Sequence, residues 1–332
     1  MILTVTLNAA WDKTYFVDGL RPGETHVVAD RHGCAGGKGI NVARVVAALG
    51  GRVVATGLAG GPTGRAIVEG LAGEGIETAF HPVRADSRTT LAVVDRTAGA
   101  ATEFREPGGP ISAAESAGFA GHLERLLDGA SFCVFAGSLP PGLPADAYAR
   151  LVELARRRGV RAVLDTSGPA LVEGVRARPF MLKPNVAEAA TLAKALGLGP
   201  ADPDPARTSP ARGDPVVAAL RLAARFAEDC ELVVLSLGRL GVVACRGGEL
   251  WHATVELKRI VNPVGSGDAL VAGVIVALER GDAVADALRL GVAAGAANAL
   301  TETAGDVRPG DVARLLPEVD IRVLDATPAG RR

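Results

Sequence analysis

Two stretches of this chain combine residue types that could hold an anion or accept a proton. In Gly36-Gly37-Lys38-Gly39-Ile40-Asn41 the glycines open a helical pattern. Glycines at a helix start free backbone N–H groups for an anion, and Lys38 adds a point charge. This is not the phosphate-binding P-loop, which needs glycine where His32 stands and Ser or Thr where Gly39 stands. The same residues also read as a glycine-rich turn with a solvated lysine. In the second stretch, Gly265-Ser266-Gly267-Asp268 precedes residues 269–278, which are apolar all round and so form a buried helix. Asp268 either caps that helix or accepts a proton from an attacking hydroxyl. In the second case the amides of Gly265, Ser266, Gly267 and Asp268 face charge that grows during the reaction. Leu270 occupies the place of the last glycine of GxGxxG, so a dinucleotide fingerprint is excluded.

Two further stretches follow apolar strand patterns. Lys183-Pro184-Asn185-Val186-Ala187-Glu188 comes after residues 180–182. Asn185 and Glu188 are three apart where a helix begins, so both face one mouth. An amide and a carboxylate suit Mg²⁺, with waters between and the metal bridging phosphates; the same pair is also a capping box. Ser236-Leu237-Gly238-Arg239-Leu240-Gly241 follows residues 232–235 and reads as a hairpin as readily as a nucleotide contact. Asp12, past the first strand, and Arg88 are isolated charges of the kind that usually faces solvent.

Alternating elements must position these groups. Residues 2–7, 53–58, 132–136, 162–165, 180–182 and 232–235 read as buried strands. Residues 40–49, 63–73, 113–127, 145–158, 186–196 and 216–228 read as helices between them. The pattern predicts an α/β fold, a mainly parallel sheet covered by helices on both faces. Ligands then sit outside the carboxyl ends of the strands. Residues 13–31 and 88–105 break the rhythm and predict a small antiparallel sheet, a lid added to an α/β domain of 1–12, 32–87 and 106–332. One face of so small a sheet needs a cover, a substrate or a second copy. Residues 197–215 carry five prolines and predict a surface insert; the tail from Thr327 predicts a frayed end.

Composition excludes other classes. With 332 residues, 48% hydrophobic, 22% charged and a net charge of −1, neither disorder nor general nucleic-acid binding fits. The start lacks a secretory pattern and no run is long enough for a membrane span. Cys34, Cys133, Cys230 and Cys245 are scattered without CxxC spacing, which predicts a reduced cytoplasm. The five histidines show no zinc spacing.

With these motifs in this order, together with Gly137-Ser138-Leu139-Pro140-Pro141-Gly142, the chain resembles the ribokinase-like (PfkB) carbohydrate kinases over nearly its whole length. Residues 4–15, 35–44, 137–142 and 262–273 resemble the phosphohexose branch, the tagatose-6-phosphate kinases and 1-phosphofructokinases. The resemblance implies an α/β domain, a β lid that often forms a homodimer, and ATP with Mg²⁺. It implies Asp268 as the base on a sugar hydroxyl and Gly265, Ser266 and Gly267 as the anion hole. Asn185 and Glu188 would organise Mg²⁺, and Lys183 would lie near the nucleotide phosphates. Ser236, Gly238, Gly241 and Asn298 would line the nucleotide side. Asp12, Gly37, Lys38 and Asn41 would meet the sugar, and Arg88 and Ser138 the phosphate it already carries. Ala9 stands where the branch usually has Pro. Trp11 stands where it has a small or aliphatic residue, which predicts a reshaped sugar pocket beside Asp12. An unphosphorylated sugar or a nucleoside is the alternative acceptor, though Lys38 with Arg88 favours a phosphosugar. A sugar- and nucleotide-binding regulator without turnover is the alternative of another class, but it would need no base.

Overall fold

The computed structural model of the chain describes residues 1–28, 30–198 and 214–324; residues 199–213 of the proline-rich insert and the tail beyond 324 lie outside them. Short apolar runs become the strands of a ten-stranded sheet. These are β1 (Ile2–Thr6), β4 (Val53–Gly60), β5 (Glu77–Val83), β8 (Phe132–Ala136), β9 (Arg161–Asp165), β10 (Met181–Leu182), β11 (Leu232–Ser236), β12 (Val242–Arg246), β13 (Glu249–Thr254) and β14 (Asp320–Leu324). Their spatial order is β14-β13-β12-β11-β10-β9-β8-β1-β4-β5. From β11 to β5 every pairing is parallel, and β12, β13 and β14 extend the sheet as antiparallel strands.

The helices are α1 (Lys38–Ala48), α2 (Gly61–Gly73), α3 (Ala113–Leu126), α4 (Ala147–Arg157), α5 (Gly168–Arg176), α6 (Val186–Ala195), α7 (Pro215–Phe226), α8 (Ser266–Arg280), α9 (Val284–Asn298) and α10 (Pro309–Leu315). Period-two alternation sends Leu3 and Val5 of β1 into one core and Ile2 into the other. Apolar residues of α3 through α7 fill the first core, those of α1, α8, α9 and α10 the second. Both faces are covered, as the alternation predicts. Burial on every side of residues 269–278 explains why α8 carries no polar stripe.

The remaining four strands form a second sheet, β3-β2-β6-β7, made of β2 (Ala10–Val17), β3 (Asp30–Gly36), β6 (Arg88–Asp95) and β7 (Ala100–Arg105). Its outer pairs are antiparallel as expected, but the central pair β2–β6 is parallel. The reason is topological: β2 continues from β1 and β6 from β5, two strands that run the same way in the main sheet, so both leave it in one direction. The lid sheet begins at Ala10 rather than Lys13, and Asp12 lies within it. At its far end Asp95 accepts hydrogen bonds from the N–H groups of Gly19, Leu20, Thr97 and Ala98, which hold its carboxyl down at about 2. Among the described residues no helix is long and apolar enough to cross a membrane, and the four cysteines are unpaired.

Candidate active site

The carboxyl ends of β9 and β10 and the amino ends of α1 and α8 meet around one buried carboxylate. Asp165 ends β9 with its side chain wholly buried. Lys38, the first residue of α1, donates to Asp165 Oδ1 at 2.8 Å. Lys183, following β10 and only 4% exposed, lies 3.4 Å from Oδ2. Two ammonium groups from distant parts of the chain are thus held on one anion. The paired cations keep Asp165 below its usual range against the cost of burial. The neighbouring carboxylates overcome burial at Lys38 and keep its ammonium protonated.

Asp268 is the third residue of α8 and is buried. It lies past the cap position, which Gly265 occupies, and no side-chain cap is formed, so the capping reading fails. Asn41 of α1 donates to Asp268 Oδ2 at 2.8 Å. Burial first and the Asp165 charge second push the Asp268 carboxyl up to about 7, against the pull of Lys38, Asn41 and Lys183. Gly265 has φ +86°, and a Cβ there would meet Gly305 N and Ala304 Cβ at 2.9 Å; no other residue type fits that turn. Of the first-turn amides of α8, which have no acceptor within the helix, that of Ser266 donates to Pro263 O at 3.2 Å, so the expected Ser266 donor is already engaged and those of Gly267 and Asp268 are left. The bare Cα of Gly267 faces Lys183, because a Cβ there would lie 3.3 Å from its Nζ. A buried carboxylate, the amides of Gly267 and Asp268 and two ammonium groups therefore converge.

Asn185 and Glu188 do form the capping box of α6, with Asn185 N donating to Glu188 Oε2 and Glu188 N to Asn185 Oδ1, both at 2.9 Å. That leaves Glu188 Oε1, which faces Lys38 Nζ at 4.0 Å, so the cap itself aims a carboxylate oxygen at the cluster. No group of three His, Cys, Asp or Glu residues that could cage a metal occurs among the described residues. One spare carboxylate oxygen at the mouth fits a Mg²⁺ that keeps waters and shares phosphate ligands. Beyond Asn185, Ser236 at the end of β11 donates its N–H to Pro184 O at 3.1 Å. The Gly238–Leu240 turn then closes on Gly241, whose φ of +82° starts β12. Asn298 has a different place from the expected nucleotide wall. It is fully buried, donating to Val264 O and accepting from Gly305 N, both at 2.8 Å, and so braces the 264–266 loop from behind.

The lid side is built at its roots. The Asp12 carboxylate lies over the bare Cα of Gly36, where a Cβ would sit 1.9 Å from Oδ2. Burial raises the Asp12 carboxyl, while the Thr90 hydrogen bond and the Arg88 charge oppose the rise. Gly37, at φ +127°, caps α1 beside it. Arg88, the first residue of β6, donates from Nε to Asn8 O at 3.1 Å and from Nη1 to Glu106 O at 3.3 Å. Ser138, after β8, accepts from Asn8 Nδ2 at 3.1 Å. Trp11 faces away from all of this. Its indole lies between Gly33 and Gly70, where Cβ atoms would meet it at 2.9 and 3.2 Å. Alternation along β2 separates it from Asp12, so the expected reshaping of the sugar pocket fails. Sequence reasoning missed Asp165 and Asn8. A charged residue ending an apolar strand at the binding edge of the sheet was the signal for Asp165.

A mainly parallel α/β sheet with a glycine-opened helix start, a buried carboxylate beside two lysines and a small second β sheet is the arrangement of the ribokinase-like fold. The pfkB family carbohydrate kinase model matches residues 5–309, and the chain belongs to that family. It is 31% identical over 323 residues to tagatose-6-phosphate kinase of Staphylococcus epidermidis, covering 97% of this chain and 99% of the relative. Phosphofructokinase-2 from Escherichia coli in complex with potassium superposes with a TM-score of 0.84 at 25% identity, covering 95% and 98% of the two chains. The same enzyme in complex with substrates and products gives 0.82 at 28% identity, with the same coverage.

Proposed function

We propose that the protein is an ATP-dependent phosphohexose kinase that makes a hexose bisphosphate and ADP. One observation carries this reading: the buried Asp268 carboxylate shares its site with the amides of Gly267 and Asp268 in the first turn of α8 and the two lysines on Asp165. Membership of a carbohydrate kinase family and likeness to a tagatose-6-phosphate kinase support it.

In-line phosphoryl transfer needs positioning and charge neutralisation more than covalent chemistry. Asp268 takes the proton of the sugar hydroxyl as that oxygen attacks the terminal phosphorus. The amides of Gly267 and Asp268, with Lys183, receive charge on the migrating group. Asn185 and Glu188 would hold Mg²⁺ through water, and the ion would neutralise the nucleotide phosphates. Ser236, Gly238 and Gly241 border the nucleotide. Asp12 and Gly37 orient the sugar hydroxyls, and Arg88 and Ser138 hold its existing phosphate by charge-assisted hydrogen bonds. Lys38, bound to Asp165 and close to Asp268, acts on the transferring group rather than on the sugar alone.

The test is ADP release with MgATP and a panel of tagatose 6-phosphate, fructose 6-phosphate, fructose 1-phosphate and the parent sugars. Asp268→Asn should lower kcat by about 10²–10⁴ with KM for MgATP nearly unchanged. Activity of that variant within fivefold of wild type, or turnover of the parent sugars alone, would sink the reading.

We also propose that a second copy covers the lid. Val27 is 91% and Phe104 58% exposed there, and residues of β2 and β6 are half-buried along most of their length. The unpaired cysteines fit a reducing compartment, the cytoplasm.

A further inference from the structure

We propose that Asn8 is a positioning residue that gives the enzyme its preference for a phosphorylated sugar; the inference rests on the reading that Arg88 and Ser138 hold the sugar's phosphate. Asn8 follows β1 and is 9% exposed. Three of its polar groups reach three different chain segments. The carbonyl oxygen accepts from Arg88 Nε at 3.1 Å. The side-chain Nδ2 donates to Ser138 Oγ at 3.1 Å and to Pro107 O at 3.2 Å. Its Oδ1 lies against Gly108, where a Cβ would come within 2.4 Å, and Gly108 has φ +94°. The segment of Glu106, Pro107 and Gly108 is where the chain returns from the lid, and Arg88 is where it last entered it.

The directions of these bonds matter more than their number. A serine hydroxyl has one proton and two lone pairs. Because Asn8 donates to Ser138 Oγ, the serine proton is free to point at an acceptor, which a phosphate oxygen provides. On Arg88, Nε faces the Asn8 carbonyl and Nη1 the Glu106 carbonyl. That leaves the Nη2 edge as the donor face of the guanidinium. The asparagine side chain therefore sets the orientation of Ser138 and ties it to the returning lid segment, while the main-chain carbonyl of the same residue, which any side chain would leave in place, holds Arg88. A sugar without the phosphate engages neither donor, so Asn8 contributes to binding only when the phosphate is present.

The experiment measures KM for the best phosphohexose and for MgATP in wild type, Asn8→Ala, Asn8→Asp, Ser138→Ala, Arg88→Ala and the Asn8→Ala/Ser138→Ala pair. Asn8→Asp keeps the shape but replaces the donor with an acceptor, so Ser138 turns its proton away from the phosphate. Either Asn8 variant should raise the phosphohexose KM by about 10- to 100-fold, the scale of hydrogen bonds to a charged group, with KM for MgATP within about twofold. The double variant should be little worse than Asn8→Ala, because both changes act through one hydroxyl. A phosphohexose KM within twofold in both Asn8 variants, while Arg88→Ala raises it, overturns the proposal and leaves the kinase reading intact. Equal rises in both KM values also overturn it, because they mark a general structural loss. If Arg88→Ala too leaves the phosphohexose KM unchanged, the phosphate does not sit there, and the reading and the proposal fall together.

Discussion

Replacing Asp165 by Asn tests whether the charge cluster works as one unit, because it should move stability and acid–base behaviour in ways no simple loss of packing would. The carboxylate is wholly buried, and Lys183 beside it is 4% exposed. Removing one partner of such a pair leaves an uncompensated buried charge, at a cost of about 3–5 kcal/mol. The link to Lys38, itself 36% exposed, adds little to that because solvent screens it. Asp165 is held below its ordinary 3.8, so its stabilisation is present at neutral pH and disappears as pH falls through that region. At roughly 2 °C per kcal/mol for a chain of this size, thermal unfolding at pH 7.5 should begin about 6–10 °C lower.

The second readout runs the other way. The Asp165 charge raises the Asp268 carboxyl, while Lys38 and Lys183 lower it. With Asp165 neutral, a repulsion is lost and both ammonium groups are released toward Asp268. The acid limb of kcat/KM, expected near pH 7 in the wild type, should therefore shift to lower pH even as the maximum rate falls. Melting and pH–rate profiles on one preparation decide the matter. An acid limb that stays put or climbs would mean that Asp268 does not feel this cluster, and the shared-site argument would fail.

The raised Asp268 carboxyl also bears on stability. The folded protein holds that proton more tightly than the unfolded chain from about pH 4 to 7, so wild-type stability should decline across this window, and Asp268→Asn should flatten the decline in a melting series. Gly36→Ala would place a methyl 1.9 Å from Asp12 Oδ2 and displace that carboxylate. It should raise the sugar KM at least tenfold with KM for MgATP unchanged, on the scale of about 1.4 kcal/mol per factor of ten; a normal sugar KM would remove Asp12 from the acceptor site. Sedimentation velocity at micromolar protein should give a dimer for the wild type and a smaller species for Phe104→Glu; a monomeric wild type would refute the lid interface.

How far the amino-acid order alone reaches follows from which contacts are local. The runs 132–136 and 232–235 declare buried parallel strands because they are apolar without interruption, and 2–7 does so with only Thr4 and Thr6 between its apolar residues. The glycine motifs declare helix starts because the freed amides follow from neighbouring residues. Asp165 declares only its place, a charge at the end of an apolar strand; its role comes from Lys38, 127 residues earlier, and from Lys183 beyond the next helix. Asn8 is similar, since its partners at Pro107 and Ser138 lie 99 and 130 residues away. The edge strands escaped notice for another reason. β5 contains His81 and Pro82, and β14 has mostly exposed or half-buried residues, so neither shows a clean apolar run. Trp11 misled because adjacency to Asp12 in sequence suggests adjacency in the pocket, whereas successive residues of a strand face opposite sides.

The same geometry constrains how this enzyme could change its acceptor. Asp12 and Arg88 sit at the roots of the two central lid strands, in registers two residues apart, since Ala10 pairs with Arg88. The groups we propose to read the sugar are thus the groups from which the lid extends. A substitution at either root alters recognition and lid placement together, whereas Lys38, Lys183 and Asp268 are held by the main sheet and its helices. On the proposed reading, selection for a different sugar can act on Asn8, Asp12, Arg88 and Ser138 while the charge cluster around Asp165 stays as it is. The converse route is closed: a change at Asp165 disturbs both lysines and the acid–base group at once, with nothing gained in recognition.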